Sequence, residues 1–177
     1  MRTRFVICTF GFVMFAFFSF SLKREMRSDG ASQLMIQRGM VAPDFQATDM
    51  KGNRVDLYEI VKGHKAVLVT FWATWCDPCR VELANFEKMY PSKKDAGMEF
   101  LAVNLDPSEL QHFPFVNELP FPIVPDQEQR IVKLYGIRSL PSSVIVASGT
   151  PPRIQNSMEG SIGAESVAPL FGVFSRR

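Results

Sequence analysis

The hydrophobic pattern of the chain changes period at one place. Ala66-Val67-Leu68-Val69-Thr70-Phe71-Trp72 is a short apolar run rich in β-branched and aromatic residues and bounded by Gly63, which predicts a buried strand. A few residues later Val81, Leu83, Ala84, Phe86 and Met89 alternate with Arg80, Glu82, Glu87 and Lys88, a helical pattern expected to stop before Pro91. A second apolar run, residues 98–106, follows Asp95-Ala96-Gly97 and predicts another strand. Strand, helix and strand in that order make a βαβ unit with parallel pairing.

The flanks add to this unit. Residues 45–49 and 54–57, separated by Lys51-Gly52-Asn53, read as a hairpin. Residues 108–119 allow a short helix, broken or kinked at Pro114, and residues 120–125 are too rich in proline for a central strand. Residues 126–135 predict a helix with Asp126 as N-cap, Ile131, Val132 and Leu134 buried, and Gly136 as its stop. Residues 140–147 predict a strand with Pro141 at its start, residues 153–158 its hairpin partner, and residues 164–174 a closing helix weakened by Pro169.

Ahead of the domain, residues 5–22 are uncharged, contain seven Phe and follow Arg2 and Arg4. At about 1.5 Å per residue such a segment spans about 27 Å, just enough for a hydrocarbon core. Ser19 and Ser21 allow cleavage after Ser21, which would release a soluble protein, whereas Lys23, Arg24 and Arg27 suit the flank of an uncleaved anchor. The anchor is the favoured reading, with orientation left open by those same positive charges. The chain thus divides into a signal-anchor or signal peptide at 1–22, a polar tether at 23–38 and one domain at 39–177. The net charge of +2 comes from Arg2 and Arg4; beyond them acidic and basic residues balance, which leaves no nucleic-acid surface.

Of the three cysteines, Cys8 lies in the apolar N-terminus and reads as a small hydrophobe, so the domain carries only Cys76 and Cys79. They fall where a strand feeds the first turn of a helix, where unpaired N–H groups and the helix dipole favour a thiolate. Cys76 is the better-placed nucleophile, and Cys79, one turn on, can resolve a mixed disulfide formed at Cys76. Pro78 fits the first helical turn. The rival readings are a structural disulfide or half a zinc site; zinc needs two more ligands, and His64 and His112 have no ligand-like spacing. Asp77, a carboxylate beside Cys76, disfavours the thiolate and so favours reducing power. Glu82 shares a helical face with Cys79 and could exchange its proton; a solvated helix charge is the bland alternative. Trp72 reads as packing and Trp75 as packing or part of a docking surface. Phe113, Pro114, Phe115 and residues 120–125 form an apolar insert, read as packing rather than partner recognition.

Gly39-Met40-Val41-Ala42-Pro43-Asp44-Phe45, then Phe71-Trp72-Ala73-Thr74-Trp75-Cys76-Asp77-Pro78-Cys79-Arg80-Val81-Glu82, then Tyr135-Gly136-Ile137-Arg138-Ser139-Leu140-Pro141 resemble the TlpA/ResA branch of the thioredoxin superfamily. The resemblance covers residues 39–160. It implies an α/β thioredoxin-like fold, a central mixed sheet flanked by helices, here with an N-terminal β-hairpin extension and an N-terminal membrane segment. It further implies an extracytoplasmic, membrane-tethered thiol-disulfide oxidoreductase that reduces exported proteins, apocytochrome c among the candidates, with electrons from a membrane donor and no cofactor. The implied site has an exposed nucleophile at Cys76, a resolving thiol at Cys79, a functional Glu82, and a cis Leu140-Pro141 peptide facing the disulfide. Trp75, Asp77, Pro78 and Leu140 would form the docking surface. Thr70 stands where thioredoxin proper carries a buried acid, which makes Glu82 the candidate proton carrier. The alternatives are a disulfide oxidant or isomerase on the same site and a non-catalytic metal-carrying module; a copper-delivery relative would show a longer cysteine spacing and a distal His.

Overall fold

The computed structural model describes residues 36–161. The apolar segment at 5–22, most of the tether and the helix expected at 164–174 lie outside the described residues, among which no helix is long and apolar enough to cross a membrane. The chain enters through Val41, which bridges Arg153, and through Ala42 and Pro43, whose carbonyls accept the Tyr58 and Tyr135 hydroxyls, each at 2.7 Å.

Strands β1 (Gln46–Thr48) and β2 (Arg54–Asp56) form the expected antiparallel hairpin, turned by Gly52 at φ 84°. Asp49 holds the turn, its carboxylate accepting from the backbone of Lys51 and Asn53. The next element, helix α1 (Leu57–Gly63), was not expected from the hydrophobic pattern. Asp56 starts it by accepting from Glu59 N, and Leu57 and Val61 are its buried residues. An acidic residue three positions after an Asx cap is the signal that was available.

The central sheet has the order β5-β4-β3-β6-β7 and is mixed. Strand β3 (Ala66–Trp72) lies in its middle, parallel to β4 (Met98–Asn104) and antiparallel to β6 (Ser142–Ala147). All seven β3 residues are buried, which is why the run is continuous rather than alternating. Its side chains divide by parity: Leu68 and Trp72 join Phe100 and Ile145 under one layer, whereas Val67, Val69 and Phe71 join Leu101 and Val103 under the other. The first layer is covered by helix α2 (Asp77–Asp95) through Leu83, Phe86 and Tyr90, the second by α1 and by α3 (Arg130–Leu134) through Ile131 and Val132. Strand β7 (Arg153–Glu159) returns beside β6 as expected, and β5 (Ile123–Pro125) occupies an edge, where its proline displaces no ladder donor on the open side.

Several boundaries differ from the pattern reading. Helix α2 runs through Pro91 to Asp95. Tyr90, packed against Phe100 and Phe121, anchors the turn at the proline, and Pro91 itself faces solvent, so burial on one side carries the helix past the lost hydrogen bond. The helix expected at 126–135 is only five residues long. The N-cap position is Gln129, at φ 52°, rather than Asp126, whose carboxylate instead reaches forward to accept from Val132 N in the first turn at 3.0 Å; Leu134 is 47 % exposed rather than buried. Residues 108–119 become two 3-10 turns, Pro107–His112 and Pro114–Asn117, separated where Pro114 predicts a break. The Thr150-Pro151 peptide is cis, which no sequence feature announces.

Candidate active site

Cys76 is the N-cap of α2 rather than its first helical residue. Its backbone closes a turn with Ala73 O and accepts the first helical bond from Arg80 N, while its Sγ accepts from Cys79 N at 3.3 Å. Cys76 and Cys79 form a disulfide with Cα atoms 5.2 Å apart. Pro78 sits in the first turn, where its missing N–H has no partner to lose. Cys79 is fully buried. The expected exposure of Cys76 is corrected: the residue is only 4 % exposed, because it joins Trp72, Cys79 and Leu83 in the core layer beneath α2. The neighbouring Trp75, at 71 %, presents the large apolar surface instead.

Strand β3 and helix α2 together determine what stands behind the disulfide. Thr70 has the parity of Leu68 and Trp72, so its side chain lies on the α2 side of the sheet. There its hydroxyl donates to Glu82 Oε2 at 3.3 Å, and Glu82 is 1 % exposed. The solvated-charge reading of Glu82 is therefore excluded. The helix pattern is inverted at this point, since Val81 is 61 % exposed and the glutamate beside it is buried. A carboxyl shut in with an apolar layer is retained only with partners, and Thr70 supplies one.

The outer rim carries the charge. Asp77 is exposed and ion-paired with Arg80, whose guanidinium also donates to Thr74 O at 2.7 Å and lies 5.8 Å from the Phe113 ring centroid. Asp77 thus acts on Cys76 less strongly than a free carboxylate, and its i,i+3 spacing to Arg80 on the helix was the available signal for that pairing. Leu140-Pro141 is a cis peptide; Leu140 is half-buried against the layer that holds both cysteines, and Pro141 O accepts from Gly160 N at 2.8 Å. The insert reads as packing: Leu110 and Val116 enter the same layer, and Phe115 lies 6.2 Å from Trp72. Among the described residues no group of three or more His, Cys, Asp or Glu is placed to hold a metal ion. Sequence reasoning overlooked Asp106, whose carboxylate accepts from the Thr74 backbone two residues before Cys76; the hydrophobic pattern placed it only at the end of the strand expected at 98–106.

Residues 39–150 match the AhpC/TSA family. The chain is 36 % identical over 118 residues to thiol-disulfide oxidoreductase ResA of Bacillus anthracis, covering 66 % of this chain and 67 % of that one. It is 37 % identical over 110 residues to ResA of Geobacillus kaustophilus, covering 61 % and 62 %. Its fold is similar to that of StoA from Bacillus subtilis, with a TM-score of 0.61 and 26 % identity over 74 % of this chain and 98 % of that one. A strand delivering two bonded cysteines to a helix start, on a thioredoxin-like mixed sheet, agrees with these likenesses, and the chain belongs to the AhpC/TSA family as a ResA-like thiol-disulfide oxidoreductase.

Proposed function

We propose that the protein reduces disulfides in exported proteins by dithiol-disulfide exchange outside the cytoplasm, held at the membrane by residues 5–22. Cys76 attacks a client disulfide and releases one client thiolate; Cys79 then attacks the Cys76 sulfur, releases the second, and leaves the Cys76–Cys79 disulfide. A membrane donor returns two electrons, and no further cofactor takes part. Cys76 is the nucleophile because its sulfur, at the N-cap of α2, receives the Cys79 N–H. Glu82 carries the proton of Cys79. Trp75, Asp77, Pro78 and Leu140 receive the client, together with Pro141, which a cis peptide joins to Leu140.

The observation that carries the direction is the charge around the pair. Asp77 and Glu82 are set against Arg80 alone on the first turns of α2, and Arg80 is engaged by Asp77. An acidic balance disfavours thiolates, and so the reduced form gives up its electrons more readily. The expected potential lies near −270 mV, and one above about −180 mV overturns the reducing direction in favour of an oxidant or isomerase. Cys79→Ser stalls the exchange, so a client covalently held at Cys76 is the expected product. Apocytochrome c is the family-level candidate among such clients. A parent protein that fails to reduce insulin, together with a Cys79→Ser variant that captures nothing, would falsify the reading.

A further inference from the structure

The segment that carries Cys76 is held from two sides at a single residue, Thr74. Thr74 N donates to both carboxylate oxygens of Asp106, at 2.9 and 3.1 Å, and the Thr74 hydroxyl donates to Asp106 Oδ2. On the other side Thr74 O accepts from Arg80 of α2. Asp106 is itself fixed: fully buried Asn104, the last residue of β4, donates from Nδ2 to Asp106 Oδ1 at 2.9 Å and accepts from Asp106 N at 3.0 Å. The ordinary task of an aspartate in this place would be to cap the 3-10 turn Pro107–His112, yet its side chain makes no capping bond there. Its acceptor capacity goes to Thr74 and Asn104 instead.

We propose that Asp106 is a positioning residue for thiol-disulfide exchange: acting through Thr74, it fixes the Cys76 loop against the first turn of α2 and so sets the effective concentration of Cys76 relative to Cys79. The inference rests on exchange at this pair. The β4 end is a rigid reference because β4 is parallel to β3 over seven registered pairs, ending at Trp72 and Asn104, and Leu105 N returns to Trp72 O at 3.0 Å. Cys79 belongs to α2, whereas Cys76 hangs between the loop and the helix. A loop free to shift at Thr74 would separate the two sulfurs more often, and an intramolecular closure is sensitive to small misplacements.

Thr74→Val separates positioning from charge, since it removes the hydroxyl donor while leaving the Asp106 carboxylate, the Asp77–Arg80 ion pair and Glu82 in place. The reduced full-length protein is equilibrated with glutathione. Two protein thiols give two electrons and two protons to glutathione disulfide, which becomes two glutathione thiols. Thr74→Val should lower the equilibrium constant for closing Cys76–Cys79 by about threefold to tenfold, the size of one ordinary net hydrogen bond. The rate of Cys79 attack on a Cys76–glutathione mixed disulfide should fall by a similar factor. Thr74→Ser, which keeps the hydroxyl, should restore both, and Asp106→Asn should lower both at least as far as Thr74→Val. A closure constant and rate for folded Thr74→Val within twofold of the parent overturn the inference, even if its thermal stability falls. A parent that does not equilibrate with glutathione at all overturns the functional reading instead.

Discussion

Replacing Glu82 by Gln tests the proton-transfer role of the buried carboxyl. The glutamate is 1 % exposed and accepts from Thr70 Oγ1 at 3.3 Å. The Gln side chain oxygen can still accept that bond, so a purely structural Glu82 predicts a stability change under about 1.5 kcal/mol and unchanged kinetics. A proton carrier predicts something larger. Cys79 is fully buried, which denies bulk water the chance to substitute, and a positioned acid-base group contributes about 10²–10⁴-fold. We expect about a 10²-fold loss, about 2.7 kcal/mol of barrier, in the step that deprotonates Cys79. The assay is stopped-flow reaction of reduced protein with an aromatic disulfide whose thiolate absorbs. The first thiolate released reports attack by Cys76, and the second reports attack by Cys79 on the mixed disulfide. Glu82→Gln should slow the second phase and flatten its pH dependence while leaving the first within about threefold, a window set by one hydrogen bond's worth of indirect change. Thr70→Val, which keeps the carboxyl and loses its donor, should slow the second phase by only about fivefold. A second phase in Glu82→Gln with parental rate and pH profile refutes the role.

Two further predictions concern the scaffold. Leu83, fully buried in the layer that includes Cys79, should cost about 2–5 kcal/mol when truncated to Ala, read as a lower urea midpoint at unchanged slope; a loss under 1 kcal/mol would mean that the layer beneath α2 collapses onto the cavity. Burial first, then Asp44 and Tyr58, push the Tyr135 hydroxyl above its ordinary value of 10.0, so the folded state keeps this proton where the unfolded chain has lost it. Its contribution is complete below about pH 10 and is lost as pH rises further, at about 1.4 kcal/mol per unit for one group. Tyr135→Phe should therefore show a shallower decline of unfolding free energy between pH 10 and 11 than the parent, and parallel curves would dismiss the assignment.

The residues that could be read in advance are those whose neighbours in space are also neighbours in sequence. The continuous apolar run of β3 announced a strand buried on both faces, the hairpin turn at Gly52 followed from local conformation, and Cys76 and Cys79 are brought together by a single helical turn. The thioredoxin-like arrangement of strand, helix and strand followed from the same local periods together with the family motifs. Helix α1 was hidden because it is short and its cap was assigned to the hairpin.

The reacting pair and the frame that presents it were thus legible in the order of residues alone. Tertiary structure decided the surroundings of that pair. Glu82 is buried and Val81 exposed because the sheet places Thr70 under that face of α2, so a hydroxyl partner, not hydropathy, selects the inward residue. Pro91 stays helical because Tyr90 is anchored by aromatic rings from β4 and the segment ahead of β5. Asp106 meets Thr74 only because parallel pairing brings the ends of β3 and β4 side by side, 32 positions apart in the chain. Hydrogen bonds and burial across such separations depend on pairing register and packing, which no local pattern encodes.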